Sequence, residues 1–163
     1  MDRIKPENQN NDCNSRLFLR KKNAYEVGQT LEDLIVDENN KISLYHLIGD
    51  GSFLALLSTG CEPCLHWLNQ LGDMKPGAPV ILLIECEEDE KNIIDKVMGE
   101  KYSIFRVPLQ KISTGLRAPS IPWVYYVDGN KQIKICEPAD PYFSFINHFD
   151  RLEKLDRIRK LQS

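Results

Sequence analysis

Residues 53–71 read FLALLSTGCEPCLHWLNQL. An apolar run at 53–57 ends in Ser58-Thr59-Gly60, and Cys61 and Cys64 follow with two residues between them. A continuous apolar run bounded by Gly51 and Gly60 suits a strand buried on both faces. Leu65, Leu68 and Leu71 then recur at three-residue spacing, which predicts the inner face of a helix ending at Gly72. The two thiols therefore sit where a buried strand becomes a helix. That place suits a reactive pair, a metal site or inert packing.

The neighbouring segments narrow the choice of fold. Residues 79–85 (PVILLIE) read as a second buried strand. Residues 88–98 predict a helix with Ile93, Ile94 and Val97 inward and Gly99 as its stop. A short strand is expected at 102–107, a turn of helix at 109–115 and a strand at 122–127. Asp128-Gly129-Asn130 makes a hairpin turn, and 132–136 returns. Upstream, Leu34-Ile35-Val36 and Ile42-Ser43-Leu44 flank the turn-forming Asp37-Glu38-Asn39-Asn40 as a small hairpin. Phe145, Phe149, Leu152, Leu155, Ile158 and Leu161 line one side of a C-terminal amphipathic helix and read as core. Residues 1–23 are polar and read as a mobile arm with a short ordered piece at Leu17-Phe18-Leu19, leaving 24–163 as the domain. Strand–helix alternation implies parallel pairing, and the closing hairpin adds antiparallel strands. The expected class is α/β: a central mixed β-sheet flanked by helices, with an N-terminal β-hairpin and a C-terminal helix.

Composition removes several functions. The 163 residues, 42% of them apolar, carry a proper core, and 21 basic against 24 acidic residues give a charge of −3. No basic stripe speaks for nucleic acid, and the basic residues near the C-terminus are interleaved with acids. No run of 18 apolar residues exists to span a bilayer, and the N-terminus lacks the apolar core of a signal peptide. As written the chain reads as cytoplasmic; with an anchor ahead of it, the domain would be extracytoplasmic or membrane-tethered. Five cysteines, at 13, 61, 64, 86 and 136, are an odd number and argue against a disulfide-stapled scaffold.

Position gives Cys61 a chemical advantage. The first turn of a helix leaves backbone N–H groups unpaired and carries positive partial charge. Thiol pKa values fall from ~8.5 to roughly 3.5–7.5 in such places. Pro63 fits a first-turn position that needs no N–H. Cys64, one turn in, reaches back to close a small ring, so Cys61 is the expected exposed attacker and Cys64 the resolving thiol. Glu62 favours the helix start but opposes ionisation of the neighbouring thiol, tempering the depression of its pKa.

Together these features resemble the thioredoxin fold, most closely the bacterial TlpA/ResA-like thiol–disulfide oxidoreductases. FLALLSTGCEPC resembles their central strand and active-site turn, and Val27-Gly28-Gln29 through Ser43-Leu44 their opening hairpin. Ile121-Pro122-Trp123-Val124-Tyr125-Tyr126-Val127-Asp128-Gly129 resembles the cis-proline strand and turn. The resemblance spans residues 25–160 and implies that Pro122 is the cis-proline and that Ile121 and Pro122 shape a substrate groove. It implies no cofactor beyond a redox-active Cys61–Cys64 disulfide, a protein or peptide thiol or disulfide as substrate, and a redox partner protein. Several positions depart from the family. Gly60 replaces the usual aromatic residue, Ala55 stands at the place of thioredoxin's buried carboxylate, and Trp67 at the place of a ResA-type glutamate. His66 is the nearest substitute proton acceptor. STGCEPC also resembles MauD-like accessory proteins and redoxin domains.

Other readings stand beside this one. A zinc site would need four ligands, drawing on His66, Cys86, Cys136 or His148. A peroxidase would want a proline where Leu54 stands, although Ser58 occupies the hydroxyl position. A binding or accessory module that kept the fold without redox turnover is the alternative from a different class. Cys86 and Cys136, at the ends of strands on opposite sides of the central one, read as structural, as do Trp123, His46 and His148. Cys13 is expected to oxidise between molecules.

Overall fold

Strand β4 (Gly51–Ser58) is the axis of the molecule, with all eight residues buried. In the computed structural model, residues 17–18, 24–73, 79–139, 158, 159 and 161 are described. Among the described residues five strands form the main sheet, in the order β6 (Ser103–Arg106), β5 (Val80–Glu85), β4, β8 (Trp123–Asp128) and β9 (Ile133–Pro138). Strands β5 and β6 run parallel to β4, with Phe53 opposite Val80 and Ser58 opposite Glu85. Parallel neighbours need a crossover, supplied here by helices α2 (Glu62–Asp73) and α3 (Glu88–Met98). On the other side β8 and β9 continue the sheet antiparallel. The Asp128 carboxylate closes their turn by accepting the Asn130 and Gln132 N–H groups. This is a thioredoxin-like α/β fold.

The small hairpin forms a separate sheet from β2 (Ile35–Asp37) and β3 (Ile42–Ser43). Leu44 was expected to extend its second strand but instead begins helix α1 (Leu44–Ile48). The Ser43 hydroxyl caps that helix by accepting the His46 N–H at 3.3 Å. A further pair joins β1 (Leu17–Phe18) to β7 (Ser120–Ile121).

Three expected helix faces need correction. In α2 the buried side chains are Pro63, Cys64, Trp67, Leu68 and Leu71, while Leu65 is 44% exposed. A strict three-residue row drifts off a 3.6-residue helix, so Leu65 rotates out and Cys64 takes its place. In α3 Ile93 and Val97 point to solvent, 63% and 70% exposed. The inner face there is Ile94 and Met98 with Lys91 and Asp95, an ion pair of 2.5 Å. Ile158 and Leu161, expected in the core, are exposed; Phe145, Phe149, Leu152 and Leu155 lie outside the described residues.

Tyr102 ties α2 to the sheet: its hydroxyl donates to the Leu71 carbonyl at 2.6 Å. Burial pushes this phenol up from 10.0 to about 12. The unfolded chain therefore releases the proton first, and stability falls as pH rises between those two values. The loss is on the order of 2 kcal/mol. Urea titrations at successive pH values should show it, and Tyr102→Phe should flatten the decline. A Tyr102→Phe curve as steep as that of the unaltered chain would assign alkaline unfolding elsewhere.

Candidate active site

The site is assembled where β4 ends, and its frame was not visible in the motif alone. Ser58, the last residue of β4, is fully buried. Its hydroxyl donates to Glu85 Oε1 at 2.6 Å and accepts the Gly60 N–H at 3.0 Å. Its carbonyl accepts the Cys61 N–H at 3.2 Å. The next residue, Thr59, donates its hydroxyl to Glu90 Oε1 at 2.9 Å, the same oxygen that accepts the Glu87 N–H at the start of α3. Two carboxylates from β5 and α3 thus clamp the turn from behind. Only the alternation of Ser, Thr and Gly before the first cysteine hinted at this in sequence, because the partners lie 27 and 31 residues away.

Glycine at position 60 is not demanded by the backbone. A Cβ there would meet only Ser58 Oγ, at 3.5 Å, an ordinary contact. The Ser58 clamp matters more. Ser58→Ala should remove the acceptor of the Gly60 N–H and cost roughly 1–3 kcal/mol. Denaturant unfolding measures this; a loss below a few tenths would mean the hydroxyl is dispensable.

Cys61 precedes α2, and Glu62, Pro63 and Cys64 form its first turn. The Cys64 N–H donates to Cys61 Sγ at 3.3 Å, so the helix terminus does direct a donor at the first sulfur. On the opposite side, Cys61 Sγ lies 3.7 Å from the Ile121 carbonyl oxygen, and the thiol donates to it. The Ile121–Pro122 peptide is cis. Two segments 60 residues apart in sequence therefore meet at one sulfur.

One expectation fails here: Cys61 is 1% exposed, not the open attacker that the sequence suggested, and Cys64 is fully buried. Glu62 is exposed and Pro63 buried. Ala55 and Trp67 are both interior, and His66 is on the outer face of α2. Neither position 55 nor position 67 thus supplies a carboxylate.

The approach to Ile121 is also held. A π-helical turn, Lys111–Gly115, leads into it, and the Tyr125 hydroxyl donates to the Leu116 carbonyl at 2.7 Å. Arg117, in a left-handed conformation at φ 56°, pairs with Glu32 at 3.0 Å and lies 4.5 Å over the Tyr25 ring. None of these contacts has a local sequence signal.

The other cysteines behave differently. Burial is the main cause that raises the thiols of Cys86 and Cys136 above their usual range, so both stay protonated at neutral pH. The Cys136 thiol donates to the Tyr25 carbonyl at 2.9 Å. Among the described residues, no group of three or more His, Cys, Asp or Glu is placed to hold a metal ion.

Fold and turn together define a thioredoxin-like domain with a C-x-x-C sequence at the start of its central helix. Known structures share that architecture at low identity. A domain of a "possible thiol-disulfide isomerase" from Cytophaga hutchinsonii superposes with a TM-score of 0.61 at 17% identity, covering 86% of this chain and 99% of that one. The thioredoxin domain of a thiol-disulfide oxidoreductase from Bacteroides vulgatus gives 0.54 at 14%, covering 77% and 99%. An exposed lipoprotein thioredoxin from Streptococcus pneumoniae gives 0.55 at 14%, covering 74% and 99%. No protein-family model and no curated protein matches the chain.

Proposed function

We propose that this chain is a thiol–disulfide oxidoreductase of the TlpA/ResA-like kind that reduces disulfides in proteins or peptides. The observation that carries this reading is the pair of contacts on Cys61 Sγ: the Cys64 N–H at 3.3 Å and the Ile121 carbonyl at 3.7 Å. The first contact stabilises a thiolate at the helix start. The second sets that sulfur beside an extended backbone able to align a substrate segment.

The reaction balances as two exchanges. The Cys61 thiolate attacks one sulfur of the substrate disulfide, forming a mixed disulfide and releasing the other sulfur as a thiolate that takes a proton. Cys64, deprotonated, then attacks Cys61 Sγ. The Cys61–Cys64 disulfide forms, and the second substrate sulfur leaves as a thiol. Substrate gains two electrons and two protons, and a reducing partner protein restores the dithiol. Glu62 and Pro63 tune the pair, while Ile121 and Pro122 form the groove. No further cofactor enters. No helix among the described residues is long and apolar enough to cross a membrane; where the domain works follows from its reducing partner.

The near-complete burial of Cys61, with Ala55 and Trp67 at the carboxylate positions, favours a second reading: a binding module without turnover. Equilibration in thiol buffers, with alkylated cysteines counted by mass, separates the two. A potential near ~−270 mV or lower marks a reductant and ~−120 to −180 mV an oxidant or isomerase. If Cys61 and Cys64 never form a reversible disulfide with each other, the module reading stands.

A further inference from the structure

The backbone beside the reactive sulfur already has a strand partner. Strand β7 carries Ile121, whose carbonyl touches Cys61 Sγ, and β1 pairs with it antiparallel. Leu17 is opposite Ile121 and Phe18 opposite Ser120, in a sheet made, among the described residues, of these two strands. The partner comes from the N-terminal stretch that sequence composition assigns to a polar arm. Ser120 and Ile121 are buried, 5% and 0% exposed, and Cys61 is 1% exposed.

A strand edge has one row of N–H and C=O groups, and a second extended segment cannot use it while the first is seated. We propose that Leu17–Phe18 is an internal occupant of the docking edge next to Cys61, which an incoming polypeptide must displace. The competition with substrate rests on the oxidoreductase reading, whereas the effect on access to the Cys61 thiol does not.

Two paired residues hold the edge only modestly. The two ladder hydrogen bonds of one antiparallel residue pair favour the seated arm by roughly 5- to 150-fold. The arm then lowers apparent substrate affinity by the fraction of molecules in which the edge is open. Such an occupant restrains exchange without abolishing it, and a substrate with a longer extended segment outcompetes it. Selection follows from this: small disulfides reach Cys61 at the rate of spontaneous opening, but an unfolded polypeptide replaces the arm outright.

The test is alkylation of the reduced protein by iodoacetamide, followed site by site by peptide mass, with Cys13→Ser in every protein compared. The double variant Leu17→Pro/Phe18→Pro removes both N–H donors of the arm segment. Labelling at Cys61 should accelerate at least fivefold, with thermal unfolding within a few degrees of the parent. A synthetic peptide of residues 12–22, carrying the same Cys13→Ser change, should slow it again. An unchanged rate at Cys61 in a folded double variant overturns the proposal. Should the variant unfold, amide exchange in the parent decides. Protection shared by the Leu17–Phe18 and Ser120–Ile121 segments supports a seated arm, and unprotected amides at both positions 17 and 18 refute it. Alkylation needs only a thiol, so this outcome is independent of whether Cys61 and Cys64 form a disulfide, which judges the oxidoreductase reading.

Discussion

Cys64→Ser should turn the protein into a trap. With a disulfide peptide as substrate, a covalent adduct on Cys61 accumulates to near one per chain, and turnover in insulin reduction falls by at least about a thousandfold. The argument is one of proximity. Cys64 lies one helical turn from Cys61, and its N–H already contacts that sulfur at 3.3 Å. Well-placed intramolecular partners act as if present at about 10⁵–10⁸ M. Without Cys64, the mixed disulfide waits for a dissolved thiol many orders of magnitude more dilute. Cys61→Ser behaves differently: turnover drops to the blank and no adduct forms at position 64, because the thiolate that the helix terminus favours is that of Cys61. Mass spectrometry of non-reduced protein separates these outcomes. Adducts appearing equally on both single variants would remove the assignment of attacker and resolver. No adduct on either, alongside a wild type that still reduces insulin, would move the chemistry to another cysteine.

The elements that the sequence revealed are those whose signal is local. β4 and β5 are buried on both faces, so residues 53–57 and 80–84 are apolar without a break and the runs are visible at a glance. The cysteine spacing, the turn at Asp128 and the stop at Gly99, whose N–H bonds to the Asp95 carbonyl at 2.8 Å, are equally short-range. Failures occur where burial is decided by a neighbour far away in sequence. Ile93 and Val97 are as apolar as Ile94, yet α3 meets the sheet one position further round, and long stems such as that of Lys91 cover surface which the apolar pattern assigned to them. Exposure of Cys61 is the same kind of error. Its cover includes a backbone from residue 121, and nothing at 58–64 encodes that approach.

The support of the cysteine turn is non-local as well. Carboxylates are absent from positions 55 and 67, but Glu85 reaches the turn through the Ser58 hydroxyl. That serine is the residue that accepts both the Gly60 N–H, on its hydroxyl, and the Cys61 N–H, on its carbonyl. Both amides are used within the turn, and the Cys64 N–H donates to Cys61 Sγ.

Phe53→Ala should be the most damaging change to the fold among single core truncations in β4, with an expected loss of about 3–5 kcal/mol. Phe53 is fully buried, pairs in register with Val80 on one side and Tyr126 on the other, and packs edge-to-face on Tyr126 at 4.9 Å between ring centroids. That ring pair alone contributes about 0.5–1.5 kcal/mol beyond burial. The remainder is lost transfer energy and the cavity left in a strand with neighbours on both edges, which leaves little room to collapse. Set against total stabilities of about 5–15 kcal/mol, the loss takes a large share of what holds the domain together. The strand also carries the turn: β4 runs without interruption from Phe53 to Ser58, whose hydroxyl and carbonyl position Gly60 and Cys61. Urea unfolding should therefore show the midpoint falling by roughly 1–3 M with an unchanged slope. Leu65→Ala, at an exposed site on α2 one residue from Cys64, is the control and should stay within about 0.5 kcal/mol. A Phe53→Ala loss no larger than that of Leu65→Ala would mean that β4 is not the packed axis on which the cysteine turn depends.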